Sequence, residues 1–257
     1  MIRIGIVGIG FMGMIHFYGA RKLRGAKVAA ISTRSPKKLA GDWSSIHGNF
    51  GPRGSRHEDL SGVAKHAEIT ELLADPKVDL VDICLPTEQH APVAIAALRA
   101  GKHVLVEKSI SLDVKAADRM LAEARRAKRH LMVAHVLPFF PEFAFAREVI
   151  QSGKYGKLKA AHFKRIISKP TWSEDIASLE KTGGPGVDLH IHDTHYIGLV
   201  CGVPKQVYSR GLTERGYVTY LTTHYLYDDP EICVTCSSGA ICQPGRPFVH
   251  GYEIYLE

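Results

Sequence analysis

The chain opens with a turn that few folds can use. Ile2, Ile4, Ile6 and Val7 form a short apolar run, and Gly8, Gly10 and Gly13 come next in the spacing G-x-G-x-x-G. An apolar, helix-compatible segment runs on from Phe11 to about Leu23. A strand, a tight glycine turn and a helix in that order bind a dinucleotide pyrophosphate. Gly8 lets the chain turn. Gly10 lacks a Cβ, so phosphates can approach the backbone, and Gly13 lets the helix lie close to the strand. The free N–H groups and positive dipole end of the helix then face the phosphates.

Beyond this helix the chain has the rhythm of a doubly wound α/β sheet. Strands are expected at Lys27–Ser32, within Val63–Ile69, and at Val78–Leu85, His103–Glu107 and Leu131–His135. Val78–Leu85 is almost continuously apolar, as a strand buried on both faces must be. Helices are expected from Pro36, over Thr70–Ala74 and Ala91–Ala100, and from about Asp113 to Lys128, where Ala117, Met120, Leu121 and Ala124 recur at helical spacing. Ile46–Gly62, rich in Gly, Ser and charge, reads as a surface loop. The texture changes near residue 135, so the expected domains are 1–134, a dinucleotide-binding Rossmann domain, and 135–257, an α+β domain for substrate binding and oligomerisation. In the second, helices are expected at Pro141–Ser152 and from Gly183-Gly184-Pro185-Gly186 to about Cys201. Strands are expected at Leu158–Ile167, Val207–Leu212, Tyr217–Tyr227, Glu231–Ser237 and Val249–Leu256, with a polar loop over Ser168–Lys181. Few helices separate the later strands, so a largely antiparallel sheet is expected. The Phe139-Phe140 pair is expected to pack.

Composition narrows the function. The 257 residues are 45% hydrophobic and 23% charged, an ordinary globular balance. The apolar start is too short and glycine-rich to span a bilayer, and no basic segment precedes it as in a signal peptide. The five cysteines, Cys84, Cys201, Cys233, Cys236 and Cys242, are few for the length and suggest reduced thiols in a cytoplasmic protein. Cys233-x-x-Cys236 has no second pair to complete a zinc site. Basic residues cluster at Arg125, Arg126, Lys128 and Arg129 and again over 154–169, within a net charge of +7. That favours an anionic cofactor or substrate, and no nucleic-acid reading module accompanies it.

Three further pieces carry chemistry: Leu85-Pro86-Thr87-Glu88-Gln89-His90, Glu107-Lys108-Ser109 and Asp188-Leu189-His190-Ile191-His192-Asp193. With the N-terminal glycines, and in this order, they resemble the Gfo/Idh/MocA family of oxidoreductases. The resemblance covers nearly the whole chain. It implies an N-terminal Rossmann domain, a C-terminal α/β domain with an open antiparallel sheet, and hydride transfer between NAD(P) and a hydroxyl carbon of a sugar, cyclitol or related polyol. By the family's Glu-Lys-Pro motif, Lys108 is the lysine that bonds the reacting hydroxyl, and Ser109 departs from the motif's proline. An ammonium beyond the carboxyl end of a strand can hold the substrate oxygen and stabilise charge on it. Asp188 and His192 match the family's Asp-x-x-x-His and share one helix face. The imidazole of His192 is a natural acid/base, with Asp188 orienting it or the substrate. His195, on the same face, makes a metal set with them conceivable, although the family reaction needs none.

The implied cofactor contacts are Gly8, Gly10, Phe11, Met12, Gly13, Ser32, Thr33, Arg34, Pro86, Thr87, His90, Glu107 and Lys108. No acid stands after the second strand to hold the ribose hydroxyls of NAD, whereas Arg34 with flanking hydroxyls suits a 2′-phosphate, so NADP is favoured over NAD. Expected substrate residues are His135, Trp172 and His224. A non-catalytic relative that senses cofactor or ligand is the competing reading. The family's C-terminal sheet usually continues beyond the equivalent of Glu257, so a homo-oligomer through this sheet, or a truncated chain, is expected.

Overall fold

The computed structural model describes residues 1–48, 51–169, 178–242, 245 and 247–257. The chain divides into two units, Met1–Ala134 and His135–Glu257. The first holds a six-stranded parallel sheet made of β1 (Ile2–Val7), β2 (Ala26–Ser32), β3 (Ala64–His66), β4 (Leu80–Ile83), β5 (His103–Val106) and β6 (Leu131–Val133), in the order β3-β2-β1-β4-β5-β6. Helices α1 (Phe11–Ala20), α2 (Pro36–Leu39), α3 (Ile69–Ala74), α4 (His90–Arg99) and α5 (Val114–Ala127) connect them. Parallel strands need such crossovers, and the helices then bury both sheet faces. One core joins Leu72, Ala94, Leu98, Met120 and Ala124 to Val81 and Val104, and the other joins Met14 and Phe17 to Ile4, Ile6 and Ile31. The second core corrects the loop expectation for Ile46–Gly62. Ile46 and Leu60 are buried there with Trp43, whose ring meets Phe17 edge-on at 4.9 Å. Backbone bonds from Trp43 N to Ser55 O and from Gly54 N to Ile46 O satisfy the polar groups that this burial takes from water.

Local chemistry sets the ends of the helices. The Asp113 side chain accepts from Ala116 N at 2.8 Å to start α5, and Lys128 ends it in the left-handed region. In the second unit Pro141 opens α6 (Pro141–Ser152), and Gly153, at φ +63°, closes it. Pro185 likewise opens the helix Pro185–Cys201. A short helix, Leu179–Thr182, lies inside the stretch expected to be a polar loop, capped by Ser178.

The second sheet runs β11-β7-β10-β9-β8, from β7 (Leu158–Ser168), β8 (Gln206–Glu214), β9 (Tyr217–Leu226), β10 (Cys233–Cys242) and β11 (Val249–Leu256). All pairings are antiparallel except β7 with β10. The last three strands are therefore not consecutive neighbours, as their sequence suggests. The eleven-residue β7 pairs along both edges and separates β11 from β10. The parallel β7–β10 pairing requires a crossover, and the helix Pro185–Cys201 lies within it. Its Tyr196 and Ile197 are wholly buried against Phe163, Tyr225, Val234 and Cys236, with Phe143 from α6. Phe140 meets Phe143 edge-on, whereas Phe139 is 83% exposed and does not pack. Among the described residues no helix is long and apolar enough to cross a membrane.

Candidate functional site

β1 and β4 are adjacent at the point where the strand order of the first sheet reverses. Doubly wound sheets take ligands beyond the carboxyl ends of such strands. Gly8 follows β1 at φ +91°, and a Cβ there would lie 2.6 Å from the Cys84 carbonyl oxygen. A Cβ on Gly13 would lie 2.0 Å from the Gly8 carbonyl oxygen, so α1 packs on the turn itself. Gly10 differs from both: it precedes α1 at φ −98°, and a Cβ there would meet nothing within 4 Å. No side chain caps this end of α1 and no acid lies in its first turn. Its N–H groups and positive dipole end thus suit an anionic ligand, and the space above Gly10 would admit a pyrophosphate. Phe11 and Met12, next in the turn, are half-buried.

At the end of β2 the Ser32 hydroxyl is buried without a hydrogen-bond partner among the described residues, the kind of orphan that a ligand hydroxyl or phosphate satisfies. Thr33 Oγ1 accepts from Ser35 N at 3.3 Å, and Arg34 is exposed. Lys38, which was not among the expected residues, donates from Nζ to the Ile9 carbonyl at 2.7 Å and so ties α2 to the glycine turn.

After β4, Pro86 leads into a short turn, Thr87–Gln89, in which Thr87 is buried. His90 corrects an expectation. Its ring is wholly buried, and its nitrogens lie 2.7 Å from the Ser109 carbonyl and 2.8 Å from the Leu85 carbonyl. Burial pushes its pKa down against the pull of those two acceptors. The imidazole ties two loops together and is not presented to a cofactor. The peptide bond between Lys108 and Ser109 is cis, and the Ser109 hydroxyl is buried without a partner among the described residues.

Glu107 is the second correction. Its carboxylate is buried rather than turned to a ligand: Oε2 accepts from Lys108 N at 3.1 Å, and Oε1 faces His16 Nε2 at 3.0 Å. The latter contact is an ion pair by distance, lying off the N–H axis of an aligned hydrogen bond. On its other edge the His16 ring meets Asp82, with Nδ1 2.9 Å from Oδ2 and 3.4 Å from Cys84 Sγ. Burial disfavours charge on this ring, but the contacts with Asp82, Cys84 and Glu107 outweigh it and hold the pKa well above the ordinary imidazole value. Burial likewise pushes the Cys84 thiol up, to about 12. His16, Asp82 and Cys84 bring ligand atoms within 4.8 Å of one another. With a carboxylate against each ring nitrogen, the arrangement is that of a buried ion pair. None of the three was expected at the site. The signal in the sequence was Asp82, an acid inside an otherwise apolar strand, since acids are buried only with partners.

In the second unit Asp188 and His192 lie one turn apart on the helix Pro185–Cys201, both half-buried. Gly186 brings this helix onto β9, since a Cβ there would lie 2.5 Å from Val218 Cγ1. Next to His192, Asp193 is fully buried and takes a two-pronged bond from Arg165 of β7, at 2.8 and 3.2 Å. Burial pushes the Asp193 carboxyl up while Arg165 opposes the shift. The structure stacks His135 on His195, with ring centres 3.8 Å apart and planes within 8°. Burial lowers the pKa of His195, which suits a neutral ring in such a stack. Asp188, His192 and His195 do not form a metal-holding group among the described residues.

His224 is a third correction. Residues alternate across a strand, and Tyr225 next to it bonds His190 and Thr194 of the helix Pro185–Cys201. His224 therefore lies on the opposite sheet face from the helix bearing Asp188 and His192, beside Tyr208. Alternation also splits Cys233, exposed, from Cys236, buried, so the Cys-x-x-Cys sulfurs do not converge. Trp172 lies outside the described residues. A cavity of about 500 Å³ between Ile150, Lys159, Ile232 and Glu257 holds none of the expected site residues.

Comparison with known proteins places the fold. The chain is 30% identical to myo-inositol 2-dehydrogenase of Thermotoga maritima over 192 residues, covering 75% of the chain and 52% of the relative. It is 32% identical over 178 residues to 1-carboxy-3-chloro-3,4-dihydroxycyclo hexa-1,5-diene dehydrogenase of Comamonas testosteroni, covering 68% of the chain and 41% of the relative. The chain thus spans about half the length of these two relatives. Among solved structures, a probable dehydrogenase from Thermotoga maritima superposes over the whole chain and 73% of its own, with TM-score 0.81 and 23% identity. Scyllo-inositol dehydrogenase from Lactobacillus casei, with bound NAD(H) and scyllo-inositol, gives TM-score 0.77 at 24% identity, over 99% of this chain and 73% of that one. These two likenesses establish the fold. The sequence model of the Gfo/Idh/MocA oxidoreductase family, NAD-binding Rossmann fold, matches residues 2–135, and the chain belongs to that family.

Proposed function

We propose that this protein is an NAD(P)-dependent dehydrogenase that oxidises a hydroxyl carbon of a cyclitol, sugar or related polyol, or reduces the matching carbonyl. The observation that carries the reading is the carboxyl end of the first sheet, where the open position at Gly10 follows β1, at the reversal of strand order, and the Lys108 turn follows β5, the strand next to β4. The α1 N-terminus and Gly10 would hold the pyrophosphate, with Ser32 and Thr33 at the ribose. NADP is the favoured form, because Arg34 is exposed beside those hydroxyls and no acid stands there. When bound, the nicotinamide accepts or delivers the hydride. Lys108 holds the substrate oxygen and stabilises charge on it. His192 takes the hydroxyl proton in oxidation and returns it in reduction, while Asp188 orients the imidazole or the substrate. His135 and Trp172 are the expected substrate-side residues, and His195, stacked on His135, joins them.

Two measurements test the reading. A screen of polyols, monitored by nicotinamide absorbance, should find turnover. Lys108→Ala and His192→Ala should each depress that turnover, about 10²–10⁴-fold for the acid/base group, and leave cofactor affinity nearly unchanged. Near wild-type rates at every pH in His192→Ala would refute the acid/base role.

We also infer a homo-oligomer built through the second sheet. Its edge strand β8 exposes residues on both faces, with Val207 and Leu212 each 59% exposed, and an unpaired apolar edge invites association. Light scattering that finds a monomer at micromolar concentration would refute it.

A further inference from the structure

Two buried carboxylates of the first unit meet at one ring. The side chain of His16, on α1, lies between the carboxylates of Asp82, from β4, and Glu107, which follows β5, at 2.9 and 3.0 Å. The two acids come from different strands, so the ring links α1 to both. A neutral imidazole has one N–H and would turn a lone pair toward one of the carboxylates, whereas the imidazolium is protonated on both nitrogens, bonded to Asp82 on one edge and in ion-pair contact with Glu107 on the other. The second oxygen of Glu107 accepts from the amide of Lys108 at 3.1 Å. A chain of contacts therefore runs from the helix that opens at the glycine turn, through one ring and one carboxylate, to the backbone of Lys108.

We propose that His16 is a positioning residue, which clamps Glu107 and through it sets the backbone, and hence the ammonium, of Lys108. The inference rests on the dehydrogenase reading only for what Lys108 does. Asp82 fixes the far edge of the ring and the Cys84 thiol lies against the same nitrogen, 3.4 Å away. The remaining titratable neighbours of the clamp are Lys108 itself and the buried ring of His90, which act on Glu107 electrostatically. Without a polar N–H group facing it, the Glu107 carboxylate in its poorly hydrated site beside Asp82 would take up a proton or turn away from the Lys108 amide.

The test compares two substitutions that divide the clamp. The amide nitrogen of asparagine can stand near Nδ1 of the ring, and that of glutamine near Nε2. His16→Asn thus keeps a donor to Asp82 and loses Glu107, whereas His16→Gln keeps Glu107 and loses Asp82. In apo protein, acylation of Lys108 by an amine-selective ester, read by peptide mass spectrometry, should change at least about threefold in His16→Asn and stay near wild type in His16→Gln. Equal effects of the two, or none, overturn the proposal, because a merely structural ring would be missed alike in both. With ¹⁵N-labelled imidazoles, the wild-type His16 ring should keep both nitrogens protonated at pH values where an ordinary histidine is neutral. A ring that turns neutral near the ordinary value, or stoichiometric zinc in the purified protein, also overturns it. In turnover, His16→Asn should lower kcat about tenfold with cofactor Kd within about twofold, and adding it to Lys108→Ala should slow that variant no further. Wild-type protein that turns over no polyol would count against the dehydrogenase reading, and the acylation and ¹⁵N measurements would still decide the clamp.

Discussion

Gly10 and Gly13 stand three residues apart in one turn, and alanine should do opposite things at the two. A Cβ at Gly13 would lie 2.0 Å from a backbone oxygen, and ordinary contact begins at 3.4 Å, so α1 must retreat by about 1.4 Å from the β1 turn. Overpacking of this kind costs about 1–3 kcal/mol, and a clash with backbone belongs at the upper end. Alanine recovers about 1 kcal/mol of helix propensity. The net loss for Gly13→Ala is about 2 kcal/mol, a fall of roughly 4–8 °C in the melting temperature for a chain of this size. At Gly10 the backbone is extended and the Cβ meets nothing within 4 Å among the described residues. Gly10→Ala should therefore hold or gain up to about 1 kcal/mol by restricting the unfolded chain. The space it fills is the space assigned to the pyrophosphate, so it should weaken NADPH and NADH together, by about tenfold or more, a loss of ~1.4 kcal/mol. Thermal melts of the apo proteins and fluorescence titration of each cofactor make the comparison. A Gly10→Ala protein that binds cofactor as wild type does would refute the placement of the phosphates. A Gly13→Ala protein as stable as wild type would refute the packing argument.

Arg34→Ala should weaken NADPH by roughly the 1.5–3 kcal/mol of a charged hydrogen bond and leave NADH unchanged; tighter NADH than NADPH binding in wild type would end the preference. Asp193→Ala leaves the guanidinium of Arg165 buried without its partner, so a loss of about 3–5 kcal/mol is expected in urea unfolding, and a shift under about 1 kcal/mol would show that the pair is not what holds the helix to β7. His190 bonds Ser238 and Tyr225, and burial lowers its pKa to about 4. The unfolded chain, with an ordinary imidazole, binds the proton first. The stability due to the neutral buried ring is complete above the ordinary value and falls as pH drops from there toward about 4, by roughly 3 kcal/mol in all. Melts across that window should show the fall in wild type and a flatter profile in His190→Gln; parallel profiles would assign it elsewhere.

The parts legible in the sequence were local ones. A glycine turn between an apolar run and a helix fixes its own conformation within a few residues, so the start of the first sheet and the roles of Gly8 and Gly13 could be read directly. Strand and helix alternation gave the parallel sheet because each crossover must bury its own stripe of apolar side chains. Pairings between distant strands were hidden. β7 pairs with β11 and β10 from positions far along the chain, and nothing in its own residues names those partners. The face that His224 occupies came from register, since one step along a strand reverses a side chain. Ile46 and Leu60 read as part of a surface loop, yet they are buried with Trp43, which fills space over Phe17 that exists only once α1 is in place. His16 behaves the same way at the site. Its partner Asp82 is 66 residues away and Glu107 farther still. In the sequence His16 is a lone polar residue on an apolar helix, and its charge is settled by two carboxylates that the folded sheet brings to either side of one ring.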